Sequence, residues 1–210
     1  SDIAANGKGA KVTAKSLSKL DGDVTTDTDG SVELTFKEGA SWSGDNGGNT
    51  TMSLSKGSWN GANTGKLNAA LTNGTTWTGD SSGAGSTIKL DASTWNGANS
   101  GANTVINLTD SSWTGDNSGA GVVITADNSK WIGSANAAGS AALTNGSIWT
   151  GASTSADFSL TLNGSTWNNS GASSLKSFTG TNGVVDMTNA AASVTIGSYS
   201  GDATVIYKHN

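Results

Sequence analysis

Ile88-Lys89-Leu90-Asp91-Ala92-Ser93-Thr94-Trp95-Asn96-Gly97 is answered 18 residues later by Ile106-Asn107-Leu108-Thr109-Asp110-Ser111-Ser112-Trp113-Thr114-Gly115. Both stretches alternate apolar and polar residues, turn at a short polar corner, then set a tryptophan between hydroxyl residues and a glycine. Alternation with a period of two buries one face of an extended chain and wets the other. Tryptophans recur at Trp42, Trp59, Trp77, Trp95, Trp113, Trp131, Trp149 and Trp167; the first interval is 17 residues and the next six are 18. A short fixed period specifies a repeat architecture, in which each unit is stable only against its neighbours.

Two strands per unit, joined by corners such as Asn145-Gly146, Asn163-Gly164 and the Gly-rich run 115–121, describe one coil of a parallel β-solenoid. Equivalent residues of successive coils stack about 4.8 Å apart, so the tryptophans form a ladder and the rod spans on the order of 50 Å. The residues beside the tryptophans include Asn60, Thr78, Asn96 and Lys130. Lysine is rarely buried without a partner, so those neighbours face out and the indoles face in. A hexapeptide-type coil would need an aliphatic residue at every sixth position, whereas apolar residues here fall 5, 7 and 9 places before tryptophan. The Gly-Gly-x-Gly-x-Asp nonapeptide of calcium-binding rolls is missing.

Apolar residues make up only 34 % of the 210, too few for a conventional globular core, yet eight tryptophans on a strict period argue against disorder. The chain has 30 glycines for tight corners and no proline, which leaves every backbone N–H free for ladder bonds. Lack of cysteine removes disulfides and thiolate chemistry. Eleven lysines, no arginine and a net charge of −5 argue against nucleic acid or an anionic membrane as partner. No apolar run approaches the roughly 20 residues of a membrane-spanning helix, so direct membrane insertion is not expected. The opening Ser1-Asp2-Ile3 shows no leader pattern and reads as an excised or mature fragment.

One continuous domain is expected: N-terminal coils or a cap over 1–40, eight tryptophan coils over 41–168, and further coils over 169–210. Asn169 replaces the glycine after Trp167, and Leu175, Phe178, Val185, Met187, Ile196, Tyr199 and Val205 read as later coils whose own residues fill the tryptophan column. A second period of 36 is nested in the first. Three residues after tryptophan stand Asp45, Ala62, Asp80, Ala98 and Asp116. Alternation would double the spacing of these carboxylates to about 9.6 Å, near a Debye length, and relieve their repulsion.

Catalytic chemistry finds little support. The one histidine, His209, is next to the last residue and lacks a nucleophile–base setting, and the residues cannot build an ordinary zinc site. Asp45, Asp80 and Asp116 could pair at glycosidase spacing, which makes a polysaccharide-active enzyme the alternative reading. Asp27-x-Asp29-x-Ser31 with Glu38 resembles part of a calcium loop, but Val32 stands where that loop needs glycine. Neither cofactor nor metal is expected. The outward residues beside the tryptophans are the candidate binding ridge: Thr76, Thr78, Thr94, Asn96, Ser112 and Thr114, extended by Ser58 and Asn60 before them and Thr150, Thr166 and Asn168 beyond. Its plain reading is a soluble β face whose side chains hydrogen-bond along the ladder. Adhesive contact is a second reading. Ice binding is a third, broken by Lys130, Ile132 and Ile148.

The unit Leu143-Thr144-Asn145-Gly146-Ser147-Ile148-Trp149-Thr150-Gly151, the Leu-x-Leu-Asn-Gly-Ser-x-Trp run at 160–167 and the stretch 175–187 carry a further likeness. Over roughly 50–190 the chain resembles the passenger domains of bacterial autotransporters of the pertactin-like and AIDA-like kind. The resemblance implies an all-β, right-handed parallel β-helix displayed at the bacterial cell surface, outside the outer membrane, or secreted. It implies an adhesin or its stalk, with a host-cell or matrix protein, a glycan or a second copy as partner. Many such passengers have longer, less regular coils, and this chain has no Arg-Gly-Asp and no serine-protease domain.

Overall fold

The computed structural model describes residues 1–208, which form strands joined by short corners, without helix and with every strand pairing parallel. The chain is a β-solenoid with an internal tryptophan ladder. One column runs from Leu20 through the eight tryptophans to Val185 and Val205, 11 residues deep and one per coil. Each coil has three sides. A strand of five or six residues, such as Val105–Thr109 or Val122–Asp127, forms the widest. A three-residue strand centred on tryptophan, such as Ser112–Thr114, forms the second. The third is a single bridging residue, in the column Val24, Asn46, Asn63, Ser81, Asn99, Asn117, Ala135 and Ser153.

Stacking like on like decides the core. Adjacent indoles lie 4.4–5.1 Å apart between centroids and within 8° of parallel, close to the coil rise. Such pairs contribute about 0.5–1.5 kcal/mol each beyond the area they bury. Each indole N–H donates to a carbonyl of the preceding coil, Trp113 to Gly97 at 2.8 Å and Trp95 to Gly79 at 2.9 Å. That contact explains the glycine two places after tryptophan. A Cβ at Gly97 would stand 1.8 Å from the Gly79 carbonyl oxygen and 3.0 Å from the Trp95 Nε1. Two aliphatic columns face the indoles, one through Ile88, Ile106 and Ile124, the other through Leu71, Leu90 and Leu108.

The remaining interior is polar and fully paired. The hydroxyls of Ser93, Ser111, Ser129 and Ser147 are buried in one column, and each accepts the backbone N–H of the residue below it in that column. Each also donates to a carbonyl of its own coil, Ser111 to Thr109 at 2.7 Å. On the third side Asn46 donates to Asn63, and Asn99 to Asn117, both at 2.8 Å. Among the described residues no buried side-chain nitrogen or oxygen lacks a partner. A coil with few apolar residues therefore still closes, because an unpaired buried polar group would cost about 1–3 kcal/mol and none is left.

The expected 5-7-9 apolar spacing holds in full before Trp131 and Trp167; before Trp59, Trp95 and Trp113 only the 5 and 7 positions are apolar, with Thr50, Ser86 and Thr104 at 9. Ala69 and Leu71 precede Trp77 by 8 and 6 residues, as do Ala141 and Leu143 before Trp149. These two coils carry an Asn-Gly corner one residue longer, with Asn73, Gly74, Asn145 and Gly146 all at positive φ. The opposite corner is one residue shorter, so the period of 18 survives. The coil of Trp59 has the short corner without the long one, which accounts for the interval of 17.

The carboxylate alternation has a cause other than charge spacing. Asp45 Oδ1 accepts the N–H of Ala62, Asp80 that of Ala98 and Asp116 that of Ser134, each on the following coil at 2.8–2.9 Å. One aspartate per two coils thus caps the residue above it. Hydrogen bonding sets the pattern, and relief of repulsion comes with it.

Candidate functional site

The candidate ridge occupies the tryptophan side. Because that strand has only three residues, tryptophan in the middle points in and its two neighbours point out, giving two outward columns per face. One runs Ser58, Thr76, Thr94, Ser112, Lys130, Ile148, Thr166; the other Asn60, Thr78, Asn96, Thr114, Ile132, Thr150, Asn168. Thr76, Thr78, Asn96 and Thr114 are exposed, and Thr94 and Ser112 are half-buried. Among the described residues none of the six donates or accepts a side-chain hydrogen bond. Farther along these columns Asn168 donates to the Thr150 hydroxyl, at 3.3 Å. The hydroxyls and amides of the ridge are therefore turned to the solvent rather than spent on the ladder. Lys130 and the half-exposed Ile132 interrupt it, as the sequence predicts.

Beyond Trp167 the ridge gains depth. Asn169 stands in the glycine position and is 1 % exposed. Its Oδ1 accepts from the Gly171 N–H and the Ser173 hydroxyl, and its Nδ2 donates to the Ser193 carbonyl on the next coil at 2.9 Å. The next corner, Thr188–Ala192, stands out from the coil, and between it and the ridge lies a cleft of about 350 Å3. Thr150, Asn168 and Asp186, successive in one column, form one wall; Asn169, Ser170, Thr188 and Asn189 form the rest. Asp186 Oδ1 accepts from the Thr188 hydroxyl at 2.7 Å and from its N–H at 2.9 Å. Those two bonds, the hydroxyl first, hold the Asp186 carboxyl below its ordinary range. Thr150 and Asn168 were within the ridge as read from sequence. Asp186 and Asn189 were missed, because nothing in the linear pattern marks the corner that stands out. The only sequence signal was Asn169 in place of glycine.

The other candidates stay apart. Asp45, Asp80 and Asp116 lie in one column two coils apart, each engaged with a backbone N–H, and no group of three or more acidic or histidine side chains gathers among the described residues. Asp27 accepts from the Gly7 N–H, so the acidic stretch 21–29 closes the first coil. His209 lies outside the described residues. A wider trough of about 540 Å3 crosses the long-strand side over Thr72, Lys89, Asp91, Asn107 and Thr109, a surface the tryptophan-centred sequence reading passed over. Comparison with protein families, characterised proteins and solved structures finds no match to this chain.

Proposed function

We propose that the chain is a surface-displayed rod of the bacterial autotransporter-passenger type, acting by adhesion or as the stalk that presents an adhesive segment. The reading is that of a contact surface rather than of a catalyst. The observation that carries it is the ridge: the hydroxyls and amides of Thr76, Thr78, Thr94, Asn96, Ser112 and Thr114 lie on successive coils, and among the described residues none of them bonds to the protein itself. A rigid array of weak, identical sites favours multivalent contact, in which several shallow interactions add through effective concentration. The carboxylates that could have suggested hydrolysis are each taken up by the backbone of the next coil, which weighs against the polysaccharide-enzyme alternative. Partners of the expected chemistry are a host-cell or matrix protein, a glycan, or a second copy.

The test is binding of the folded protein to immobilised matrix proteins, a glycan array, cultured cells and itself. Saturable binding that falls at least about tenfold, or 1.4 kcal/mol, in a Thr76→Ala/Thr78→Ala/Thr114→Ala variant supports the ridge. Binding unaffected by that variant, or no binding by protein with intact circular dichroism, removes the adhesive reading.

A further inference from the structure

We propose that the cleft at the C-terminal end of the ridge binds a neutral saccharide through a pair of adjacent hydroxyls. This rests on reading the ridge as a contact surface, and it names a ligand class and a place on it. Among the described residues, four groups lining the cleft have no hydrogen-bond partner: Asp186 Oδ2, Asn168 Oδ1, Asn189 Nδ2 and the Ser170 hydroxyl. The first two only accept, the amide nitrogen only donates and the hydroxyl does either. Neighbouring sugar hydroxyls, each a donor and an acceptor at once, match that mixture. A carboxylate beside an amide is suited to take two of them together.

Their partners hold these groups in place. Asp186 is fixed by Thr188, Asn168 is tied to Thr150, and Asn189 Oδ1 accepts from the Ala191 N–H at 2.9 Å. Ordering a ligand here costs little rearrangement of the protein, which favours affinity for a small polar molecule. The volume of about 350 Å3 falls at the lower end of small-molecule sites, whose range is about 300–1,000 Å3. Other ligand classes fit less well. A single carboxylate with one oxygen already doubly occupied is a poor cation site, since calcium takes six or more oxygens. The same charge repels anions.

The experiment is amide NMR of the intact protein titrated with glucose, galactose, mannose and N-acetylglucosamine, and separately with calcium chloride. Sugars are raised to about 50 mM, above the millimolar Kd expected of one shallow site. The expected result is saturable shifts at Asn168–Ser170 and Asp186–Asn189 with at least one sugar and none with calcium. Asp186→Asn, which keeps the shape and an acceptor for Thr188, and Asn168→Ala should each weaken binding at least about tenfold. Shifts with calcium alone, no shift with any sugar, or sugar shifts unchanged in both variants would overturn the proposal. Adhesion lost in the Thr76/Thr78/Thr114 variant with no sugar response would leave the ridge standing and the cleft refuted. A cleft response without any cell or matrix binding would do the reverse.

Discussion

The column that runs through the rod is tryptophan for eight coils and valine for the last two, and the two regions differ in more than the side chain. From Trp59 to Trp149 every indole is stacked on a tryptophan above and below, and all eight are at most 1 % exposed and donate to the coil before them. At Val185 the residue is 7 % exposed, at Val205 44 %, and Tyr199, Ile206 and Tyr207 of the last coil are also open. Both regions have parallel pairing and similar apolar content. What the middle has and the end lacks is a matching neighbour above as well as below. Stability in this molecule is thus a property of the contact between coils, not of a coil.

The largest expected break in that comparison is Trp113→Ala. It removes two stacked partners, Trp95 and Trp131, and leaves the Gly97 carbonyl without its donor. The cost should be about 3–5 kcal/mol, as for large aromatic truncations in cores. Val185→Ala in the same column removes two methyl-sized groups at about 0.8 kcal/mol each, near 1.6 kcal/mol in all. Urea unfolding followed by tryptophan fluorescence compares them, and equal costs would mean that the ladder adds nothing to ordinary burial.

A second, smaller effect tests the polar interior. Ser111→Ala strands the buried N–H of Ser93, which now donates to the Ser111 hydroxyl at 3.0 Å. An unsatisfied buried donor costs about 1–3 kcal/mol. Hydrogen exchange at the Ser93 amide should quicken well beyond that of Ser129, two coils along. Unchanged exchange would show that the hydroxyl column fills space without holding the coils together.

These differences also mark what could be read from the chain beforehand. The period, the direction of the indoles and the continuation of the coils past Trp167 follow from residue type and spacing alone, because a strict repeat writes its contacts into one dimension; that Val185 and Val205 are the residues in the tryptophan column does not. The partners of polar residues do not. Asp45 and Ala62 are 17 apart in sequence, and nothing in either says that a carboxylate of one coil caps an N–H of the next. For the same reason residue type alone suggests a ridge hydrogen-bonded along itself, whereas the side chains of Thr76, Thr78, Asn96 and Thr114 are exposed to solvent. The cleft was the hardest to foresee, since it arises where Asn169 departs from the repeat and the corner after Asp186 stands away from the rod.

The smallest effect sharpens the comparison most. Tyr207 is 71 % exposed, lies in the last coil and is paired with Met187 on one side only. If stability resides in contacts between coils, Tyr207→Ser removes half a contact and should change unfolding by no more than about 0.5 kcal/mol, like other exposed substitutions. The same change should lower the fluorescence of an apolar dye such as anilinonaphthalene sulfonate, because Tyr207, Tyr199, Val205 and Ile196 together line an apolar patch at this end. A cost matching that of Val185→Ala would instead mean that the last coil is as cooperative as the middle. In that case the tryptophan ladder would not be what separates the two regions, and nearest-neighbour coupling would have to extend through valine columns with equal strength.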